Sequence, residues 1–258
     1  MNELDKNINQ SVKKAFTLLD AFTDEKKVWG VRELAQKTGY NKSTTYRLLN
    51  TLMHLNIVHQ TYNDKYSLGS KLYELGNRVS IYKSIKALTH EPIKNVALEI
   101  QETVLLSVLK NNKVFHIDKA DSLHGLKINT SIGSYEPIHA TAAGKLLLSY
   151  LPFIEQENTI NNLKLDTFTQ NTLANKPKLK QELKKIQLQG YALDMEELES
   201  GLVCIAIPIR NKNNKVIASI SASGPLSRFR VENINSYISI LQKGATIIEK
   251  EVSNFDSL

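Results

Sequence analysis

The sequence predicts an α+β protein in two parts: an N-terminal winged helix-turn-helix domain and a C-terminal domain built on an antiparallel sheet, joined by a helical linker. Three observations predict it. Short amphipathic helical patterns precede a small strand–turn–strand before residue 70. Helical periodicity then runs from Ser70 to about Ile100. Beyond it, strand hairpins alternate with helices. The boundaries read as 8–69 for the winged domain, 70–90 for the linker helix and 91–258 for the C-terminal domain.

The composition admits this reading and excludes others. The 258 residues suffice for a sizeable core, and 41 % hydrophobic with 23 % charged residues is ordinary for a globular chain. The longest apolar run, Gly201–Ile209, falls well short of the roughly 18–20 residues of a membrane span. The polar start MNELDKNINQ has no apolar segment of a secretory signal, and the single Cys204 fits a reducing cytoplasm. A cytoplasmic protein without a membrane partner is therefore expected. The formal charge is +7, and residues 1–80 hold 12 basic against 8 acidic residues, the denser share of the excess. That suits a polyanion partner but is common on plain soluble proteins.

In the first helix Val12, Ala15, Phe16, Leu19 and Phe22 form one apolar stripe, and Asp24–Lys27 breaks it. Val31, Leu34, Ala35 and Thr38 make a second short helix that stops at Gly39, and Asn41 is placed to cap a third. That third helix, about Lys42 to Leu55, turns Thr45, Leu48, Leu49 and Leu52 inward. Ser43, Tyr46, Arg47 and Asn50 share another face, with Lys42 beside them; Thr44 borders the inward face at the helix start. Hydroxyls, an amide and a guanidinium on one free helix face can bond base edges and phosphates together, although an isolated polar face is more often simply solvated. The next segment decides between them. Ile57–Tyr62 and Lys65–Leu68 read as strands around a two-residue Asn63–Asp64 turn, so a wing follows the helices. Lys65 and Tyr66 beside its tip would reach a phosphate or a minor groove.

Leu72, Leu75, Val79 and Tyr82 give the linker an apolar stripe, and Pro92 predicts two helices, one ending near Thr89 and one starting at Pro92. The stripe serves either to pack on the same chain's wing or to pair with a second copy and space two heads. Symmetric dimers match palindromic operators, so a dimer is the default for such a head. In the C-terminal part Thr103–Lys110 and Val114–Asp118 flank a turn at Asn111–Lys113, and Leu126–Thr130 is a further strand. Thr141–Leu151, Pro177–Gln189 and Val231–Val252 read as helices, and Gly201–Arg210 with Lys215–Ser223 as a hairpin.

Three motifs in this part carry a resemblance. Glu136-Pro-Ile-His-Ala-Thr-Ala-Ala-Gly-Lys145 is the first; Asp194-Met-Glu-Glu197 leading into Gly201-Leu-Val-Cys-Ile-Ala206 is the second; Ser221-Ala-Ser-Gly-Pro225 is the third. With the winged head and its Lys42-Ser43-Thr44 run and Arg47, the chain resembles the IclR family of bacterial transcription regulators along almost its whole length. The resemblance implies a GAF-like effector domain for a small organic-acid metabolite, and a homodimer or dimer of dimers on a double-stranded DNA operator. Lys42, Ser43, Thr44, Tyr46, Arg47 and Asn50 of the third helix and Lys65 of the wing are the expected DNA contacts, and no cofactor is expected. The resemblance places the effector at Ala142, Ala143, Asp194, Cys204, Ser221 and Ser223. Some relatives carry Gly where Ala142 stands, and Glu136 replaces a frequent apolar residue, which would disfavour a second ligand carboxylate.

The residues themselves fit that chemistry. Positions 140–143 begin a helix, whose free N–H groups and dipole favour an anion. Ser221 and Ser223 share one side of a strand. Asp194 would repel a bound carboxylate unless protonated or bonded to a ligand hydroxyl, so a hydroxy- or oxo-acid suits the set. The bland alternatives are a buried apolar Cys204, an exposed serine face, His139 as a helix cap and a solvated loop from Asp194 to Glu199.

Catalytic motifs are poor. The sequence has no His-Glu-x-x-His, phosphate loop or nucleophile elbow, and one cysteine cannot build a thiolate zinc site. A Cys204–His139 pair is the only nucleophile arrangement worth naming, and Val and Ile flank that cysteine. No enzyme activity and no metal are expected. The competing expectation is a ligand-sensing protein whose winged head contacts another protein, marked by weak, salt-insensitive association with any DNA.

Overall fold

The computed structural model describes residues 8–255 apart from 24, 126, 127 and 129. Two compact units divide the chain, 1–80 and 81–258.

In the first unit α1 (Gln10–Leu19) is capped by Asn9, whose side chain accepts from the Ser11 and Val12 amides. A two-residue strand β1 (Trp29–Gly30) leads into α2 (Val31–Thr38), where the Glu33 carboxylate accepts the Gly30 N–H at 2.7 Å. Gly39 ends α2 at φ +74°, a left-handed conformation that suits glycine, and α3 (Lys42–His54) starts three residues on. The wing is β2 (Val58–Gln60) and β3 (Lys65–Leu68), with β1 paired to the far edge of β3. A short α4 (Ser70–Gly76) closes the unit.

Three expectations change here. The hairpin loop is Tyr62–Asp64, one residue longer than expected: Gln60 pairs with Tyr66, the Thr61 amide donates to the Lys65 carbonyl, and Asp64 takes φ +54°. Tyr66 is not a wing-tip contact; it is buried with Trp29, Leu34, Leu49 and Val58, and wholly exposed Tyr62 sits on the loop instead. The apolar stripe of α1 is buried only in part: Ala15, Leu19 and Phe22 pack against the core of the unit. Leu18 is fully buried, while Val12 and Phe16 are more than half exposed. Leu18 stands three residues on from Ala15, so the buried side is the stripe rotated toward Leu18 and away from Val12 and Phe16.

In the second unit α5 (Ser80–Ile100) runs unbroken through Pro92, and the break lies at Asn77–Val79 instead. Ile85, Thr89, Ile93, Val96 and Ile100 form one buried stripe across the proline. Burial along that whole stripe outweighs the roughly 3 kcal/mol that an interior proline costs. Six antiparallel strands follow: β4 (Thr103–Lys110), β5 (Lys113–Ala120), β6 (Tyr135–Pro137), β7 (Ala192–Met195), β8 (Leu202–Arg210) and β9 (Val216–Pro225). Their spatial order is β6-β5-β4-β9-β8-β7. Asn111 and Asn112, both at positive φ, close the β4–β5 hairpin as a two-residue turn.

One sheet face packs on α5 and the terminal α9 (Ile234–Glu251), which a short 3-10 turn at Val231–Asn233 introduces. The other is covered by α6 (Ala142–Ser149) and α8 (Lys176–Gln189), with α7 (Phe153–Asn162) between them in sequence. β6, β7 and α7 were not expected; the two strands are edges of three and four residues, too short to alternate visibly. The expected Leu126–Thr130 strand lies largely outside the described residues.

Candidate DNA interface and ligand site

The recognition helix is fixed by its cap. The Asn41 side chain accepts the Thr44 amide at 2.7 Å and the Ser43 hydroxyl at 2.9 Å, while Thr45, fully buried, donates to the Asn41 carbonyl. Leu49 and Leu52 anchor the inward side, and Leu48 is half-buried. This leaves Lys42, Ser43, Tyr46 and Arg47 exposed on the free side, with Asn50 and Thr44 half-buried beside them. Thr44 leans toward α1 and borders a groove with Leu48 and Thr51. Lys65 is exposed at the start of β3, next to the wing loop. Hydroxyls, an amide, a phenol and a guanidinium thus stand on one helix face, with a lysine on the adjoining wing.

The second site is a surface of the six-stranded sheet. Directly opposed residues share a face, so Asp194, Cys204, Ser223 and Thr103 form one row across β7, β8, β9 and β4. Ser221, opposite Ala206 and Leu105, forms the next row. The start of α6 lies on this face: Ala142 and Ala143 pack in one cluster with Cys204 and Ala206. Thr141 caps α6 by accepting the Gly144 amide at 3.1 Å, which leaves the Ala142 and Ala143 amides outside the cap. A Cβ on Gly144 would stand 2.3 Å from the Ile138 carbonyl oxygen, so only glycine lets α6 begin this close to the preceding strand. All six residues singled out in the sequence therefore meet on one face.

The electrostatics of this face are unusual. Burial pushes the Asp194 carboxyl up to about 7; the Glu197 amide donating at 2.7 Å and the Lys145 charge oppose this, and the Glu197 carboxylate adds to it. Its second oxygen, Oδ2, is buried with no hydrogen-bond partner among the described residues. Burial also raises Cys204 well above the ordinary thiol range, with Asp194 and Glu136 adding and Ser223 and Lys145 opposing. That makes Cys204 a poor nucleophile. His139, its suggested partner, is buried with Nε2 on the Asp166 carbonyl.

Sequence reasoning missed two groups here. Lys145, on α6, is fully buried and forms an ion pair with Glu197 in the β7–β8 loop, whose backbone is tied by the Thr169 and Thr172 hydroxyls. A lysine inside an apolar helix run was the available signal. Ser219, Ser107 and His116 extend the polar face; alternation from Ser221 would have found Ser219.

Because the folded pKa of Asp194 exceeds its ordinary 3.8, the folded state binds the extra proton between the two values. Stability should therefore fall as pH rises from about 4 to about 7. Asp194→Asn is expected to flatten that fall, read from the melting temperature of the C-terminal transition between about pH 5 and 8. An unchanged slope would show that the carboxyl is already charged in the fold.

Comparison with known proteins decides the family. A model described as the IclR helix-turn-helix domain matches residues 11–61, and one described as the bacterial transcriptional regulator IclR C-terminal domain matches 79–250. The chain belongs to the IclR family. It is 33 % identical to the HTH-type transcriptional regulator KdgR of Escherichia coli K12 over 95 % of this chain and 94 % of that one. The E. coli transcriptional repressor IclR is 29 % identical, covering 92 % and 87 %. The IclR structure from Thermotoga maritima superposes with a TM-score of 0.74 at 29 % identity, covering 95 % of this chain and 99 % of that one. An IclR homologue from Microbacterium hydrocarbonoxydans, complexed with 4-hydroxybenzoate, shares the fold at TM-score 0.82 and 22 % identity, covering 94 % and 98 %. As an IclR-family member the chain is a DNA-binding transcription regulator and not an enzyme. Among the described residues no helix is long and apolar enough to cross a membrane.

Proposed function

We propose that this IclR-family regulator binds its operator through Lys42, Ser43, Thr44, Tyr46, Arg47 and Asn50 of α3 and Lys65 of the wing. Operator affinity is set by a small organic acid held at Ala142, Ala143, Asp194, Cys204, Ser221 and Ser223. The observation that carries the ligand half is the buried, unpartnered Asp194 Oδ2 on the face that the first turn of α6 covers. Buried polar atoms without partners are rare in folded proteins, and a ligand hydroxyl or carboxylic acid supplies one here. The 4-hydroxybenzoate of the Microbacterium homologue is itself a hydroxy-acid, which supports the class.

The working form is a homodimer, or a dimer of dimers, on a palindromic operator. Val12, Phe16, Leu55, Leu75 and Val79 of the winged unit are exposed around an apolar groove of about 1070 Å³. Thr44, Arg47 and Asn50 line the same groove, so a second copy would cover only its Val12, Phe16, Leu75 and Val79 side and leave the DNA contacts free; that apolar side favours self-pairing over packing of the linker on its own wing.

The test is a fluorescence anisotropy titration of DNA from just upstream of the protein's own gene against an unrelated duplex, at two salt concentrations. Preference for the upstream fragment by about a thousandfold, falling steeply with salt, is the expected result. Weak, salt-insensitive association with both fragments would overturn it in favour of a protein partner for the winged head.

A further inference from the structure

Four buried polar atoms on or beside the α6-covered face lack hydrogen-bond partners among the described residues: Asp194 Oδ2, Glu197 Oε2, Ser219 Oγ and His116 Nε2. The first two belong to the acid site proposed above. The other two lie further along the same face. Ser219 is opposite Ser107 across β9 and β4, and Ser107 is opposite His116 across β4 and β5. Ser107 Oγ lies 2.9 Å from His116 Nδ1, and His116 Nε2 stands 3.1 Å from Glu136 Oε2 without an aligned hydrogen bond. The other Glu136 oxygen accepts from Thr130 at 3.1 Å. Burial pushes the Glu136 carboxyl up, but the His116 contact and Thr130 outweigh it and hold the group below its ordinary value. Glu136 is therefore an anion, and it stands opposite Val114 across β6 and β5, on the face that α6 covers.

We infer that Ser107, His116, Glu136 and Ser219 form a hydroxyl-reading wall of the same site, so that its ligand is an acid carrying several hydroxyl groups along its chain. The inference rests on the reading of this face as an acid site. The ligand carboxylate goes to the α6 amides, whose free N–H groups favour it, while the fixed anion at Glu136 repels it from the β6 edge of the sheet. What Glu136 and the serines accept and donate well is neutral hydroxyl. Ser223, Ser221 and Ser219 recur at every second residue of β9, a spacing of about 7 Å, so a chain with hydroxyls at intervals meets one after another. An aliphatic or aromatic tail would leave Ser219 Oγ buried and unpaired, and that loss weakens binding by roughly tenfold.

Calorimetric titration of the full chain with D-gluconate, D-galactonate and D-glucuronate, against hexanoate and 4-hydroxybenzoate, tests it. At least one polyhydroxy acid should bind tenfold or more tighter than both comparison acids. Ser219→Ala, a small change in the sheet interior, and Glu136→Leu should each weaken that acid about tenfold and leave hexanoate unchanged or tighter. Tighter binding of hexanoate or 4-hydroxybenzoate would overturn the hydroxyl wall while leaving the acid site standing. So would a polyhydroxy acid indifferent to both variants. Failure of all five acids to bind would sink the acid site together with the wall.

Discussion

Replacing Lys145 by methionine is expected to remove about 3–5 kcal/mol from the stability of the C-terminal domain. The ammonium is fully buried on α6 and paired with Glu197, whose own carboxyl is pushed up by burial with Lys145 opposing. Methionine keeps most of the side-chain volume, so the loss reports the charge and not a cavity. It strands a carboxylate that already has one unpartnered oxygen, and that carboxylate must then stay buried alone or take up a proton. The double variant Lys145→Met with Glu197→Leu removes both charges and should recover most of the loss, because a buried pair returns little over well-packed apolar residues. Denaturant unfolding of the C-terminal transition measures both. If the single variant unfolds at the wild-type midpoint, the pair is exchanged with water in solution and contributes nothing to the fold. The same pair holds the loop that presents Asp194, so the single variant should lose ligand affinity at denaturant concentrations where it is still folded.

The parts legible in the sequence were those with long or complete local patterns. The Thr103–Lys110 strand, the Lys176–Gln189 helix with its left-handed Gly190 and the capped recognition helix each carry periodicity together with a stop or start signal. The six residues proposed for the ligand came from motif resemblance, and the register of β7, β8 and β9 explains why those of them on the sheet, so distant in sequence, share one face. What stayed hidden depended on long-range packing. Pro92 reads as a helix start, yet burial of Ile85 and Ile93 on either side keeps one helix going. The α1 stripe reads as core along its whole length, yet only Ala15, Leu19 and Phe22 pack inward while Val12 and Phe16 stay exposed. The edge strands Tyr135–Pro137 and Ala192–Met195 have no signature of their own; neighbours in the sheet define them. The His116–Glu136 contact joins β5 to β6 across a segment whose local pattern says nothing of pairing.

Arg47→Ala is expected to weaken operator binding by about 5- to 150-fold, the 1–3 kcal/mol of a bidentate base contact. Arg47 is exposed in the second turn of α3, on the face with Ser43 and Asn50 and clear of the Leu49–Leu52 anchor, so its truncation should leave the melting temperature within about a degree. Two roles for the guanidinium predict different patterns. A fork on guanine O6 and N7 loses both affinity and preference at one base pair, and Arg47→Lys restores little because a point charge cannot make the paired contact. A phosphate contact weakens all duplexes alike, lowers the salt slope by roughly one and is largely restored by lysine. The position favours the fork: phosphate contacts are available to Lys42 at the helix start and Lys65 on the wing, both exposed, while Arg47 stands further along the helix. The decisive measurement is anisotropy on the preferred fragment and on single-base variants of it, for wild type, Arg47→Ala and Arg47→Lys. Unchanged affinity and unchanged sequence preference in the alanine variant would remove Arg47 from the interface and transfer the reading of bases to Tyr46 and Asn50.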